Sequence, residues 1–233
     1  MTIKNIDLQA LLRRIQHLED IHAINNLMGR RAYLHSAGRH DREINELWSH
    51  GEDVVFEAED MGAWTNLSTI KRSYVNGNPF PNTTKGLMIE HTLTTPVIEV
   101  AEDGQTAKGV WISPGHETFP ISEDNTPEAF WSWGRYAVDF RKESGAWKIW
   151  RLHVLTTFRT PYGQDWVASS LHRPEHLPKE GEPMESIGGP DRPVSFNQPY
   201  HPDNTPKYQP VPPDPYKTWA DTFPYAELHQ DPR

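Results

Sequence analysis

A change of hydrophobic period near residue 86 limits this chain more than any other feature. Before it, Leu8, Leu11, Leu12, Ile15, Leu18, Ile21, Ile24 and Met28 follow an i, i+3, i+4, i+7 spacing, which predicts an amphipathic helix over residues 7 to about 36, with Gly29 marking a place where it can break. After it the period is two. Strands are expected over 87–100, 105–113, 129–142 and 146–159, with turns at Asp103-Gly104, Pro114-Gly115, Asp124 to Pro127 and Ser144-Gly145. Between the two regimes, Asp41 is placed to cap a short helix running through Trp48. Residues 53–59 read as a short strand, and Asn66 to about Asn76 as another helix, stopped by Gly77-Asn78-Pro79. Helices first and short-turned strands afterwards is an α+β order, in which helices cover one face of a strongly curved antiparallel sheet.

Past about residue 172 the character shifts again. Fourteen of the 21 prolines lie between Pro174 and Pro232, with few aliphatic residues and no sustained period. Such a segment builds no core of its own. Its aromatic residues, Phe196, Tyr200, Tyr208, Tyr216, Trp219, Phe223 and Tyr225, suit an arm that packs on its own domain or on a neighbouring subunit. The expected division is a domain over 1–172 and a Pro-rich arm over 173–233.

Charge and composition exclude several function classes. The formal charge of -9 lacks the basic footprint of a nucleic-acid binder. The absence of cysteine removes disulfide scaffolds, thiolate zinc sites, iron–sulfur clusters and cysteine nucleophiles. The N-terminus is charged where a signal peptide needs an apolar run, and no apolar stretch approaches the ~20 residues of a membrane span, so a soluble, cytoplasmic protein is expected. There is no glycine-rich phosphate loop, no GxSxG and no HExxH, and neither a metal nor a cofactor is expected.

The chemistry that remains is that of histidine, tyrosine, arginine and carboxylate. Leu87, Ile89, His91 and Leu93 share one parity, so His91 is expected to point where three apolar side chains point. Thr92, Thr94 and Thr95 follow it. An imidazole titrating near pH 6.5 in an apolar surround is a natural proton-transfer group, although one carbonyl or carboxylate can equally satisfy it as a structural residue. On the last long strand Arg151 and His153 share a parity with Trp147, Ile149 and Leu155, while the other parity is also apolar. Both ionisable residues are therefore expected to be buried or to line a cavity, with Asp139 on the adjoining strand as a candidate partner. Tyr33 at the end of the first helix is either core with a wet hydroxyl or a phenol that polarises a substrate oxygen. Asp41 is either a helix cap or the carboxylate that orients a histidine. Nine tryptophans are an unusual supply for lining an apolar pocket, and Trp64, Trp111 and Trp133, with His35 and Asp139, are the expected pocket residues.

The run Ile89 to Ile112, with His91, Asp103, Gly104 and Ala107, and the strand Gly134-Arg135-Tyr136 turning through Ser144-Gly145 into Trp147-Lys148-Ile149 resemble the nuclear transport factor 2-like superfamily, specifically its SnoaL-like branch. The resemblance covers roughly residues 7 to 160. It implies a cone-shaped curved sheet wrapped around the N-terminal helices, with a deep apolar pocket. It also implies relatives such as scytalone dehydratase and bile-acid dehydratase, cofactor-free lyases that use a Tyr, an Asp and a His. Tyr33 and His91 match the first and last. The Asp does not carry over, because Gly38 stands in its place; His35, Asp41, Asp139 or Arg151 is left to supply its function. The reaction this implies is a cofactor-independent lyase on a hydroxylated aromatic or polycyclic compound, by dehydration or by retro-aldol-type cleavage that releases a small aldehyde such as formaldehyde. His91 would act as acid or base, and Tyr33 with Arg151 or His153 would stabilise an oxyanion. A polyketide cyclase or ketosteroid-type isomerase, or a binding or assembly module without chemistry, is the alternative. A homo-oligomer, trimer or dimer, is expected from the same resemblance.

Overall fold

The computed structural model describes residues 7–58, 61–76, 83–120, 126–169, 189–196, 198–205 and 209–230. The expected domain boundary at 172/173, the Gly-Asn-Pro stop at 77–79 and Tyr208 lie outside them. The first helix, α1 (Leu8–Ser36), is capped by Asp7, whose carboxylate accepts from the backbone N–H groups of Gln9 and Ala10. It runs unbroken through Gly29 and ends at a tight corner. Gly38, at φ +62, donates to the His35 carbonyl, and Arg39 donates to that of Leu34. A glycine is favoured there because the corner needs a left-handed residue.

The chain then turns straight into α2 (His40–Arg42), which opens into a π-helical turn over Glu43–Leu47. Asp41 is thus the second residue of the helix and does not cap it; the cap position is Arg39, which makes no side-chain capping bond. Strands β1 (Val55–Ala58) and β2 (Gly62–Trp64) precede α3 (Leu67–Lys71), which continues as a π turn over Arg72–Asn76. The rest of the sheet is β3 (Met88–His91), β4 (Thr94–Val100), β5 (Thr106–Pro120), β6 (Pro127–Glu143) and β7 (Ala146–Pro161). Its order is β2-β1-β7-β6-β5-β3, with β4 also pairing β5. All pairs are antiparallel except β1 with β7, so the chain is a meander closed at one edge by a parallel strand.

Two expectations from the period need correction. The stretch 87–100 is two strands, β3 and β4, which pair with different parts of β5. Pro114-Gly115 is also no turn, since β5 runs through it. His91 pairs with Gly115 and Thr94 with Ile112, so Pro114 falls in the gap between β3 and β4. A proline, which cannot donate to a ladder, is tolerated there. The pairing of β6 with β7 carries bulges between Trp133 and Gly134 and between Asp139 and Phe140, and such bulges bend a sheet.

The two faces of this sheet are occupied differently. On the inner face Trp111, Tyr136, Val138, Phe140, Ile149 and Leu152 form one core with Ile24 and Met28 of α1 and with Ile44, Leu47 and Trp48. Only the later part of α1 takes part, its buried residues being Asp20, Ile24, Met28 and Arg31. Leu8, Leu11, Leu12, Ile15 and Leu18 are exposed by 40% or more. The apolar stripe that predicted the helix therefore continues beyond the sheet that buries its later turns. On the outer face Val110, Ala137 and Leu155 pack with Tyr225 and Leu228 from the end of the chain. Lys108 and Asp139 form a buried ion pair there at 2.6 Å, and Asp139 also accepts from the Tyr225 backbone N–H at 2.8 Å. Glu57, buried beside His153, accepts from Arg192 at 2.6 Å and from the Ser195 N–H at 2.8 Å. Residues 223–228 thus cover the outer face of their own sheet, while Arg192 bridges to Ala63 at the edge strand β2.

Candidate active site

At one end of the inner face two buried carboxylates stand, each held by an arginine and by histidine. The first is Glu117 on β5. Its side chain shares a face with Trp111, because residues of even separation on a strand do. It accepts from His91 Nε2 at 2.8 Å through one oxygen, and the other lies 3.0 Å from Arg159 Nε. Burial works against the charge of Glu117. Arg159, His91 and a hydrogen bond from Ser132 outweigh it and hold the carboxyl down to about 2. His91 reaches this carboxylate because its partner across the ladder is Gly115: a Cβ there would lie 2.7 Å from His91 Cδ2, and under 3.0 Å from the Ser132 and Glu90 carbonyls. The His91 side chain keeps 18% exposure, and with Nε2 committed to Glu117 its Nδ1 makes no hydrogen bond among the described residues.

The second carboxylate is Glu43, first residue of the π turn. Arg31 Nε lies 3.2 Å from its Oε1, while His35 Nδ1 and His40 Nδ1 each lie 3.5 Å from its Oε2. Burial raises the Glu43 pKa, but Arg31 and the two histidines hold it well below the usual carboxylate range. Arg31 also donates to the Tyr136 hydroxyl at 3.4 Å. Burial pushes His35 down to about 4, with Glu43 pulling the other way and Arg31 adding to the fall, so the ring is neutral at physiological pH. The Tyr74 phenol, pushed up by burial, lies against both rings, 5.8 Å from His35 and 5.3 Å from His40. The His35 and His91 rings stack at 5.7 Å and 24°, which joins the two sets. The whole arrangement is acid–base equipment: two charged carboxylates, each neutralised locally, with imidazoles between them.

Of the residues singled out from the sequence, His91 and His35 meet here. Tyr33 points to solvent, 83% exposed on the far side of α1, because the buried stripe of the helix runs through Arg31 and His35 instead. Asp41 is exposed on α2. Arg151 and His153 are on the outer face. Arg151 pairs with Asp53 at 3.0 Å and lies over Trp150, and His153 contacts Glu57 and the Tyr225 carbonyl, its pKa lowered by burial. Asp139 makes its ion pair with Lys108 and stands opposite Arg151 in the ladder, so it supports the Arg151 charge without a direct bond, and it lies away from Glu43 and Glu117. Trp64 and Trp111 are buried in the main core, stacked on Phe56 and set against Phe140 respectively. Trp133 stacks on Phe158 on the outer face. Sequence reasoning missed Arg31, His40, Glu43, Tyr74, Glu117 and Arg159. The usable signals were the i, i+4 pair Arg31 and His35 in line with Ile24 and Met28, and the even spacing of Glu117 from Trp111.

A bent antiparallel sheet wrapped on an N-terminal helix, with polar chemistry gathered at one end of its inner face, defines the cone-shaped α+β class of the nuclear transport factor 2-like superfamily. Within it, the SnoaL-like domain matches residues 16–153, and the chain belongs to that family. Among solved structures it is similar to a hexachlorocyclohexane dehydrochlorinase, LinA type 2, at 15% identity and a TM-score of 0.53, over 70% of this chain and 99% of that one. A candidate scytalone dehydratase from Novosphingobium aromaticivorans is similar at 16% identity and a TM-score of 0.53, over 71% and 99%. LinA type 3 from Novosphingobium barchaimii is similar at 15% and 0.51, over 65% and 96%. At these identities the likeness is one of fold. No curated protein matches the sequence. No helix among the described residues is long and apolar enough to cross a membrane.

Proposed function

We propose that the protein is a lyase acting on a hydroxylated aromatic or polycyclic small molecule, with His91 as the proton-transfer group and Glu117 as the carboxylate that orients it. The observation that carries this reading is the 2.8 Å contact between His91 Nε2 and a buried, ionised Glu117, which leaves Nδ1 as the nitrogen turned to proton transfer. Glu117 takes the part that Gly38 cannot take: it fixes the tautomer and stabilises the imidazolium that forms when Nδ1 accepts a proton. In a dehydration, Nδ1 removes a proton from carbon and the imidazolium so formed returns it to the neighbouring hydroxyl, which leaves as water as the carbon–carbon double bond forms. In a retro-aldol cleavage, Nδ1 removes a hydroxyl proton, the carbon–carbon bond breaks to release a small aldehyde such as formaldehyde, and the proton returns to carbon. Names of structural neighbours that eliminate water or hydrogen chloride are consistent with the first type of step. Tyr136 and Tyr74, tied to Arg31, His35 and His40, replace the exposed Tyr33 as the phenols of the site. We place the protein in the cytoplasm as a homo-oligomer, a trimer or dimer, a state that light scattering measures directly.

The test is turnover on a panel of aryl diols and aryl alcohols, read by mass spectrometry for loss of water or of formaldehyde. His91→Ala, shown folded by circular dichroism, is expected to lose about 10²- to 10⁴-fold in rate. Wild-type turnover in that variant would remove the assignment, and a product of unchanged mass would favour an isomerase.

A further inference from the structure

We propose that His35, His40 and Glu43 bind one divalent transition cation of the class that includes zinc and cobalt(II). The three residues come from one helix–corner–helix unit, so nine consecutive residues deliver all three ligands. Their ligand atoms lie within 4.8 Å of one another, and both imidazole Nδ1 atoms stand 3.5 Å from the same carboxylate oxygen, Glu43 Oε2. About 3.4 Å is the edge of a tetrahedron whose metal–ligand bonds are about 2.1 Å. The same spacing is long for a hydrogen bond. Among the described residues the buried His35 Nδ1 makes none that meets hydrogen-bond geometry, and the one from His40 Nδ1 to Glu43 Oε2 is stretched to 3.5 Å, so two nitrogens and an oxygen converge through long contacts only.

The surroundings suit a cation. Arg31 lies against Glu43 Oε1, leaving Oε2 as the one inward donor and fixing the plane of the carboxylate, as outer-shell partners of metal ligands do. Two imidazoles and a carboxylate are the donor set of borderline cations, which the lack of cysteine does not exclude. Three protein ligands leave a coordination position open, the hallmark of a site that meets substrate. The neighbours of His35 are His91, stacked at 5.7 Å, and Tyr74 at 5.8 Å, so a cation here adjoins the proton-transfer pair. A substrate oxygen taken as the fourth ligand is polarised there while His91 moves the proton. Gly38 acquires a purpose in this arrangement: its left-handed corner folds His40 back onto His35. The binding claim stands without the lyase reading; only the role at the substrate oxygen rests on it.

The experiment uses the full chain, stripped with a chelator and titrated with Co²⁺ while visible absorption and bound metal are measured. The expected result is one Co²⁺ per chain with the absorption bands of a low-coordinate site, displaced by Zn²⁺. His40→Gln and Glu43→Gln should weaken binding by more than about 10-fold. His116→Ala, which removes an exposed histidine on the outer face, should bind as wild type. Failure of wild type to bind Co²⁺ stoichiometrically overturns the proposal whether or not the variants fold, as does equal binding in wild type and His40→Gln. If wild type binds no cation yet His91→Ala is inactive, the cation fails and the lyase reading survives; stoichiometric cation with an active His91→Ala gives the reverse.

Discussion

Replacing Glu117 by Gln tests the centre of the site with almost no change in volume. Glu117 is 3% exposed in its side chain and carries two charge-assisted contacts, 2.8 Å to His91 and 3.0 Å to Arg159. The amide keeps an acceptor for one of them and loses the charge for both. Removing one partner of a buried pair costs about 3–5 kcal/mol. Arg159 keeps 14% exposure and so finds some water, which places the expected loss near the lower end, about 3 kcal/mol. For a chain of this size that is a fall in midpoint temperature of roughly 6–12 °C. The same change frees the His91 ring to adopt either tautomer. Urea unfolding followed by tryptophan fluorescence measures the first effect, and nitrogen-correlated imidazole spectra measure the second. Arg159→Gln separates the two, since it should lower stability while leaving the tautomer of His91 fixed by Glu117. A Glu117→Gln protein that loses less than about 1 kcal/mol and keeps the wild-type tautomer would refute the reasoning, because the dyad would then be a contact without consequence.

Acid should unfold the protein in a particular window. Glu117 is held down to about 2 in the folded chain against about 4.5 otherwise, so the unfolded chain binds the proton more readily. Its stabilisation is present in full above about 4.5 and is lost as pH falls towards 2, which urea midpoints measured from pH 6 to pH 3 should show as a steady decline that Glu117→Gln flattens. Gly115→Ala should destabilise by about 1–3 kcal/mol and displace His91, since the new methyl meets two backbone carbonyls as well as the ring; an unchanged His91 ring spectrum would contradict this. Asp139→Asn should leave the Lys108 ammonium buried beside a neutral amide, costing about 3–5 kcal/mol, and should loosen residues 216–230 first. Limited proteolysis that cuts this segment no faster than in wild type would count against that account.

What the sequence discloses is the pattern of faces more than their contents. The parity that set His91 with Leu87, Ile89 and Leu93 holds, all four being half-buried, because alternation is a property of the strand itself. The family resemblance holds as well. Glu43 and Glu117 were not legible, since a lone glutamate reads as solvated by default and only its partners from distant segments make burial affordable. Arg159 and Glu117 lie 42 residues apart in the chain and meet only because β5 and β7 flank β6. His153 is buried, as its parity predicts, and Arg151 only partly so, but parity says that two residues share a face and not which face it is. Helix α1 misled in the opposite sense: its most regular apolar residues are exposed, and its buried stripe passes through Asp20, whose carboxylate accepts from Trp147 Nε1 at 2.8 Å.

The two faces of β5 carry opposite charges to opposite destinations, Glu117 inward and Lys108 outward. A slip of one residue in its pairing would send the lysine towards the apolar core around Trp111 and the glutamate out among the aromatic residues near Trp131, stranding both without counterions. Each wrong register is thus penalised twice, once on each side of the sheet. The ionic residues that equip the site also act as the proofreaders of the strand that bears them, and they bias the folding landscape towards the one alignment in which chemistry is possible.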